Sequence, residues 1–279
     1  MTPTEVLEQA LSLADEGDWE GTAELLRDNL EDCADDPAVH CWLGVAEREL
    51  GLGGAAYECF KRALSLDPED PYVLATAGNG IAAFDDPDAE RALRVAAVTA
   101  PRLPLARMLY GAYLSREGLL DQAVQELRAA RDLDPDDAEI MYELGVAYAL
   151  FGRWDEAADA FSDAVRLDPD NGWVRVVFGL VLLEADRAEE GVGELISGAH
   201  LRPDDVDAQL VAALAAAAAG LEGTAYEMVE RARLQAVDLD IELVADVEDR
   251  IDLGAESASA LLTEEYAPDL LRARLRERP

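Results

Sequence analysis

The sequence predicts an all-α protein built from stacked helix-turn-helix repeats. Three ladders of residues carry this prediction, because each recurs at a period of 33 or 34 residues along most of the chain. Self-similarity at a fixed period of this size is typical of proteins whose short helical units stack on one another. The first ladder consists of the small residues Gly44, Gly78, Gly111, Gly145, Gly179 and Ala213. The second consists of the prolines Pro68, Pro101, Pro135, Pro169 and Pro203. The third again consists of small residues, Ala56, Ala89, Ala123, Ala157, Gly191 and Ala225.

The segment 138–171 shows the repeat unit most clearly. Apolar and small residues recur at three- and four-residue steps before Gly152 and again after it, which places each set on one face of a helix. Gly152 suits the left-handed conformation that ends a helix, and Pro169 cannot continue the second helix because it has no amide hydrogen. Gly145 and Ala157 are expected where the two helices cross closely. Such a hairpin cannot bury its apolar faces alone and must stack on neighbours.

These positions resemble the pattern of the tetratricopeptide repeat family, which has a Leu-Gly pair, a tyrosine, an alanine, an aromatic residue, a second alanine and a proline in a unit of about 34 residues. The repeat 138–171 fits every position, and two other repeats fit most of them. The matching residues are Leu144, Gly145, Tyr148, Ala157, Phe161, Ala164 and Pro169; Leu43, Gly44, Ala56, Phe60, Ala63 and Pro68; and Tyr110, Gly111, Leu114, Ala123, Leu127, Ala130 and Pro135. The resemblance implies a right-handed superhelical solenoid.

About seven repeats and a C-terminal helical cap account for the whole chain. The array is expected to cover residues 1–236, where the period stops. Residues 237–279 are then expected to form short amphipathic helices, because the end of a solenoid must cover one apolar face and present a polar face to water. The repeats are expected at about 3–36, 37–70, 71–103, 104–137, 138–171, 172–205 and 206–236.

Some repeats depart from the common pattern. The repeat 71–103 is one residue short, and residues 84–87 replace its glycine turn. Its first helix also contains Gly78 and Gly80. Because a glycine inside a helix costs about 1 kcal/mol relative to alanine, we expect this helix to be the least stable of the array. Residues 2–5 predict a capping box at the N-terminus.

The composition is strongly acidic. Sixty Asp and Glu residues against 23 Lys and Arg residues give a net charge of −37, and Lys61 is the only lysine. One interpretation is a halophilic protein, since molar salt shortens the screening length to about 3 Å and removes the self-repulsion. The alternative is an acidic surface for basic partners. We favour the first because the charge is spread along the chain. Direct binding of nucleic acid is disfavoured, since phosphate contacts need a basic face.

The sequence gives no sign of a membrane span or of catalytic chemistry. No apolar run is long enough to cross a bilayer, and the N-terminus lacks the layout of a signal peptide, so we expect a cytoplasmic protein. His40 and His200 have no evident catalytic or metal-binding partner. Cys33, Cys41 and Cys59 are interpreted as reduced structural thiols. We therefore expect no enzyme, no cofactor and no metal site.

Binding is expected on the first helix of each repeat. In the tetratricopeptide repeat family these helices line a concave groove, so the resemblance implies a groove here. It lacks the basic residues with which family members grip a peptide carboxylate, and its apolar, partly aromatic character suits an amphipathic helix or an extended apolar segment. The alternative is that several of its side chains lie in the core between repeats or under the C-terminal helices. The candidates are Tyr72, Asn79, Met108, Tyr142 and Trp173.

The C-terminal tail departs from the acidic trend. Residues 270–279 carry a side-chain charge of +3, against −40 for the rest of the chain, through Arg272, Arg274, Arg276 and Arg278. We interpret these arginines as a docking tail that binds either the chain's own array or a neighbouring copy. The alternative is that they complement the negative end of a helix.

Together these features predict a non-catalytic scaffold that binds a partner protein or peptide in its groove. The alternative is a self-assembling structural protein, a homo-oligomer whose arrays associate through their ends or through the arginine-rich tail. The sequence gives no identity for the partner.

Overall fold

A computed structural model describes residues 1–237 and 239–276. Within these ranges the chain consists of helices joined by short turns and contains no strand. It divides into two compact units, Met1–Pro135 and Asp136–Pro279. The all-helical repeat fold expected from the sequence is confirmed.

The first unit contains four helix pairs among its residues, all of which are described. The two helices of a pair pack on each other, each second helix packs on the first helix of the next pair, and successive first helices also touch. The helices are α1 (Pro3–Asp15), α2 (Trp19–Asp28), α3 (Pro37–Glu49), α4 (Gly53–Ser65), α5 (Pro71–Ala82), α6 (Asp88–Thr99), α7 (Pro104–Arg116) and α8 (Leu120–Leu133).

The second unit begins with three helix pairs and then continues into a helical C-terminal segment. The pairs are α9 (Ala138–Leu150) and α10 (Trp154–Leu167), α11 (Gly172–Glu184) and α12 (Ala188–Leu201), and α13 (Val206–Ala218) and α14 (Glu222–Gln235). The C-terminal segment comprises α15 (Leu239–Asp252), α16 (Ala255–Leu261), a π-helical turn (Leu262–Tyr266) and α17 (Ala267–Arg274). It packs first on α14 and α13 and ends on α11.

The ends of the helices follow the sequence signals closely. The predicted capping box is present, since the Thr2 hydroxyl accepts a hydrogen bond from the Glu5 amide and the Glu5 carboxylate accepts one from the Thr2 amide. Gly152 adopts the expected positive φ of 67°. Where a repeat lacks this glycine, Asp85 and Asp186 take its place with φ of 53° and 59°. Aspartate tolerates this conformation better than most residues.

The residues that replace the glycine turn of the third repeat are held by the preceding hairpin. The Tyr57 hydroxyl donates to Asp86 at 2.7 Å, and the ring of Tyr57 lies 4.8 Å from that of Phe84. Lys61 donates to Asp88 at 2.8 Å and to Asp86 at 3.2 Å. These hydrogen bonds to Asp88 and Asp86 raise the pKa of Lys61. Lys61 therefore links the second repeat to the third through its hydrogen bonds to Asp86 and Asp88.

Close packing explains the glycines inside α5. Phe60 on α4 lies between Gly44 on α3 and Gly80 on α5. A Cβ atom would come within 2.7 Å of the Phe60 ring at Gly44 and within 2.2 Å at Gly80, where ordinary contacts begin at 3.4 Å. A side chain at either position would force the helices apart. The lower stability of α5 stays a prediction.

Candidate functional site

The first helices of the second unit carry the end of the chain. We call the surface formed by α9, α11 and α13 the first-helix face of this unit. The segment α16 and the π-helical turn lie against α13, and α17 lies against α11. The buried face of α17 comprises Ala267, Leu270, Leu271 and Arg274, and Leu275 is buried directly after the helix.

Arg274 enters a pocket built from aromatic and acidic side chains. Its guanidinium carbon lies 4.3 Å from the centroid of the Trp173 ring, and its Nη2 atom donates to both carboxylate oxygens of Asp205, at 2.8 and 2.9 Å. Arg202 also donates to Asp205, at 3.0 Å, and its guanidinium carbon lies 5.4 Å from the Trp173 ring. The Trp173 indole donates to the Tyr142 hydroxyl at 3.0 Å. We call Tyr142, Trp173, Arg202 and Asp205 the Trp173 pocket.

The repeat geometry places these side chains together. Trp173 lies in the first turn of α11, and Tyr142 lies near the start of α9 with its ring edge-on to that of Phe161. Asp205 is the N-cap residue of α13, where its carboxylate accepts the Ala208 amide at 3.0 Å. Because successive first helices begin about one repeat apart, their N-terminal ends form neighbouring walls of one pocket.

Two carboxylates of this region hold the C-terminal segment. Burial opposes ionisation of Asp205, but the Ala208 amide, Arg274 and Arg202 outweigh it and lower the pKa of Asp205 below its ordinary value. The Tyr266 hydroxyl donates to Asp207 at 3.0 Å. Burial and the charge of Asp207 raise the pKa of Tyr266. The segment is therefore held with an ionised carboxylate at Asp205 and a neutral phenol at Tyr266.

Comparison with known proteins identifies the family. Models of the tetratricopeptide repeat match residues 37–70 and 111–172. The chain is a tetratricopeptide repeat protein. No curated protein sequence matches it.

Solved structures of tetratricopeptide repeat proteins resemble this one. TTC0263, a thermophilic protein of this family from Thermus thermophilus, is 25% identical with a TM-score of 0.56 over 64% of this chain and 98% of its own. The structure of PilF from Pseudomonas aeruginosa is 19% identical with a TM-score of 0.59, over 75% of this chain and 97% of its own. A chain of the APC/C hetero-tetramer Cut9–Hcn1 is 17% identical with a TM-score of 0.69, over 87% of this chain and 48% of its own. At identities of 19% and 17%, the likeness to the last two structures concerns the fold alone.

Tetratricopeptide repeat proteins bind protein or peptide partners, and their fold is in general a non-catalytic interaction scaffold. Among the helices that the structure describes, none has the length and apolar character needed to cross a membrane. The described part of the chain also holds no group of three or more His, Cys, Asp and Glu side chains arranged for a metal ion.

The groove candidates of this tetratricopeptide repeat protein differ in accessibility. In the second unit Tyr142 is 2% exposed, and the half-buried Trp173 lies under Arg274. In the first unit Met108 is 2% exposed, Asn79 is half-buried and Tyr72 is 46% exposed. The structure brings Tyr142 and Trp173 into one pocket. Tyr72 is the candidate that offers a large aromatic surface to solvent.

The tail arginines also divide into different environments. Arg274 is buried in the Trp173 pocket, whereas Arg272 and Arg276 are exposed. Arg272 donates within its own helix, to Asp269 and to the Pro268 carbonyl. Arg278 lies outside the described residues. Among the described tail arginines, Arg274 therefore carries the contact with the repeats.

Sequence reasoning missed the acidic half of this site. Asp205 has the same place in its repeat as the capping residues Asp70 and Asp137, so no local signal sets it apart. The tail does contain a signal. The buried positions 270, 271, 274 and 275 recur at helical spacing, which places Arg274 inside an apolar stripe rather than on a polar face.

Proposed function

We propose that this protein is an adaptor whose first unit binds an amphipathic helix of a partner protein. The partner would lie across the first helices α3, α5 and α7. One observation carries the proposal: in the second unit, the corresponding helices α11 and α13 hold a helical segment of the chain itself. The same type of surface is thus suited to receive a helix.

The side chains of α5 supply contacts of the right kind. Tyr72 projects a half-exposed ring near the start of the helix, and aromatic rings of this type often anchor interfaces. Asn79 follows seven residues later, two turns along the helix, which is about 10 Å. A partner helix can meet this pair with an apolar residue at one position and a polar residue two turns away. The amide of Asn79 can both donate and accept hydrogen bonds.

Site-specific photocrosslinking tests the proposal. A photoreactive phenylalanine analogue replaces Tyr72 in the full chain, and the same analogue replaces Tyr226 as the control. Tyr226 is a tyrosine of similar exposure, 40%, on the second helix α14. We expect irradiation in native lysate at high salt to give discrete protein adducts from position 72 that position 226 does not give. Identical adducts from both positions, or none from position 72, would refute the proposal.

A double variant provides an independent test, in which capture of the partner identified by crosslinking is measured. Tyr72→Ala with Asn79→Ala is expected to weaken capture at least tenfold, whereas Tyr226→Ala retains it. Circular dichroism is used to check that both variants keep their helix content. Unchanged capture by a folded double variant would show that the partner binds elsewhere.

A further inference from the structure

The Trp173 pocket holds the guanidinium of Arg274 between an aromatic ring and a carboxylate. We propose that this pocket is a receptor for an amphipathic helix with the sequence pattern Leu-x-x-Arg-Leu, that the tail of the chain is its resident occupant, and that a partner helix with the same pattern replaces the tail.

The contacts of Arg274 distinguish arginine from lysine. Its flat guanidinium stacks on the Trp173 ring at 4.3 Å while a nitrogen of the same group donates to both oxygens of Asp205. A guanidinium can stack through its face and donate from its edge at the same time. A lysine ammonium is a compact, strongly hydrated charge that offers no planar face. The two charged side chains are each only 10% exposed, so their attraction is weakly screened by salt.

The leucines around Arg274 define the rest of the pattern. Leu271 and Leu275 are buried, and they lie one turn apart with Arg274 between them. A ligand must therefore present two leucines and an arginine on the same stripe of a helix. The tail satisfies this requirement with residues 271–275, whose sequence is Leu-Arg-Ala-Arg-Leu.

The surroundings of the pocket favour a basic occupant. A cleft of about 520 Å³ beside Arg274 is lined by Asp204, Asp205, Asp207 and Asp240, with Arg202 as the other basic side chain. The whole chain outside residues 270–279 carries a charge of −40. A basic helix thus approaches a surface of opposite charge, which raises the rate of encounter.

The construction of the tail allows it to be replaced. It consists of short elements: α16 with 7 residues, a π-helical turn with 5 and α17 with 8. Isolated helices this short are marginal in water, so the tail gains its structure by packing on the first-helix face of the second unit. The helices α9 to α14 pack against one another independently of it. Its covalent attachment gives it an effective concentration of about 1 mM or more, so a partner helix has to overcome that competition.

A peptide-binding experiment on the full chain tests the proposal. The probe is a fluorescently labelled synthetic peptide with the sequence of residues 255–276, and its binding is measured by fluorescence anisotropy at high salt. The receptors are the wild-type protein and the variant Arg274→Ala, whose own tail no longer fills the pocket. We expect the variant to bind the peptide at least tenfold more tightly than the wild type does. Equal binding by the two receptors, or no binding by either, would overturn the proposal.

Matched peptides test whether the pocket requires arginine. The peptide change Arg274→Lys is expected to weaken binding to the Arg274→Ala receptor at least tenfold. The control is Arg272→Lys, which alters an arginine of the same helix that is exposed in the structure, and it is expected to bind like the parent peptide. Parent-like binding by both lysine peptides would show that charge alone drives binding, and equal loss from both would show that the pocket does not single out position 274; either result would overturn the requirement for arginine. A receptor that also carries Asp205→Asn keeps a good helix cap but loses the carboxylate charge, and it is expected to bind poorly.

Two further measurements exclude other occupants and a folding defect. Adding excess peptide to the wild-type protein is expected to speed hydrogen exchange in residues 255–276 while exchange in α9 to α14 is unchanged; unchanged exchange in the tail would show that it is not displaced. Size exclusion with light scattering is expected to give a monomer at micromolar concentration. A dimer that dissociates on Arg274→Ala would identify a second copy as the occupant and would refute a partner helix. The pocket belongs to the second unit and Tyr72 to the first, so either binding activity can fail without the other.

Discussion

Replacing Gly80 with alanine separates helix propensity from packing. Alanine is about 1 kcal/mol more favourable than glycine inside a helix, so the sequence of α5 by itself predicts a stabilising substitution. In the structure, however, the new Cβ atom would lie 2.2 Å from the Phe60 ring, more than 1 Å inside an ordinary contact. Phe60 has little room to withdraw, because its other edge packs so closely on α3 that a Cβ atom at Gly44 would come within 2.7 Å of the ring. An overpacked core costs about 1–3 kcal/mol, and an overlap of this size corresponds to the upper end. We expect a net loss of about 2 kcal/mol.

The matched control for this substitution is Gly193→Ala on α12. Gly193 is also inside a helix, but it is exposed and a Cβ atom there would meet no atom within 4 Å. We expect it to stabilise the protein by about 0.5–1 kcal/mol. The free energy of unfolding is measured by guanidinium denaturation followed by circular dichroism. Because repeat proteins need not unfold in one step, hydrogen exchange in α4 and α5 locates the change. A Gly80→Ala protein as stable as the wild type would refute the packing argument.

Three further predictions concern pH and salt. The pKa of Asp205 is lowered in the folded protein, so the stability that Asp205 contributes is present above the ordinary carboxyl pKa of 3.8 and is lost as the pH falls below that value. Hydrogen exchange in α17 should therefore accelerate below pH 3.8. Unchanged exchange in α17 would show that Asp205 does not hold the tail. The pKa of Tyr266 is raised, so its contribution is complete below the ordinary phenol pKa of 10 and is lost as the pH rises above it; Tyr266→Phe should abolish the alkaline part of tail release. With a net charge of −37, the protein should gain helix content by circular dichroism between dilute buffer and molar salt, and full helicity in dilute buffer would contradict the halophilic interpretation.

The fold was largely predictable because the repeat imposes the same local rules many times. Pro71 and Pro104 begin first helices, and Gly118 and Gly152 end them with positive φ. Each of these signals depends on the backbone of its own residue, so the sequence displays it directly. Asp186 was missed as a turn residue because positive φ is uncommon for residues other than glycine, so aspartate gives a weaker turn signal.

The candidate site was predictable only in part. The sequence pointed to Trp173 and Tyr142 through their place in the repeat and to Arg274 through the reversal of charge in the tail. Asp205 was indistinguishable from the other capping aspartates, because its second role depends on a residue 69 positions away. Helical spacing in the tail shows which side chains share a stripe, but it does not show which helix of the array that stripe contacts.

The sequence by itself determined the repeat, the family and many of the signals that begin and end helices, because glycine, proline and capping residues act on the backbone within a few positions. Only the tertiary structure decided which side chains remain for binding. Gly80 lowers the helix propensity of α5, but the close contact with Phe60 leaves no space for a side chain there. The packing of α17 on α11 covers Trp173, whereas Tyr72 in the first unit is exposed. The physical reason is that burial depends on contacts between residues far apart in the chain, whereas helix signals depend on neighbours.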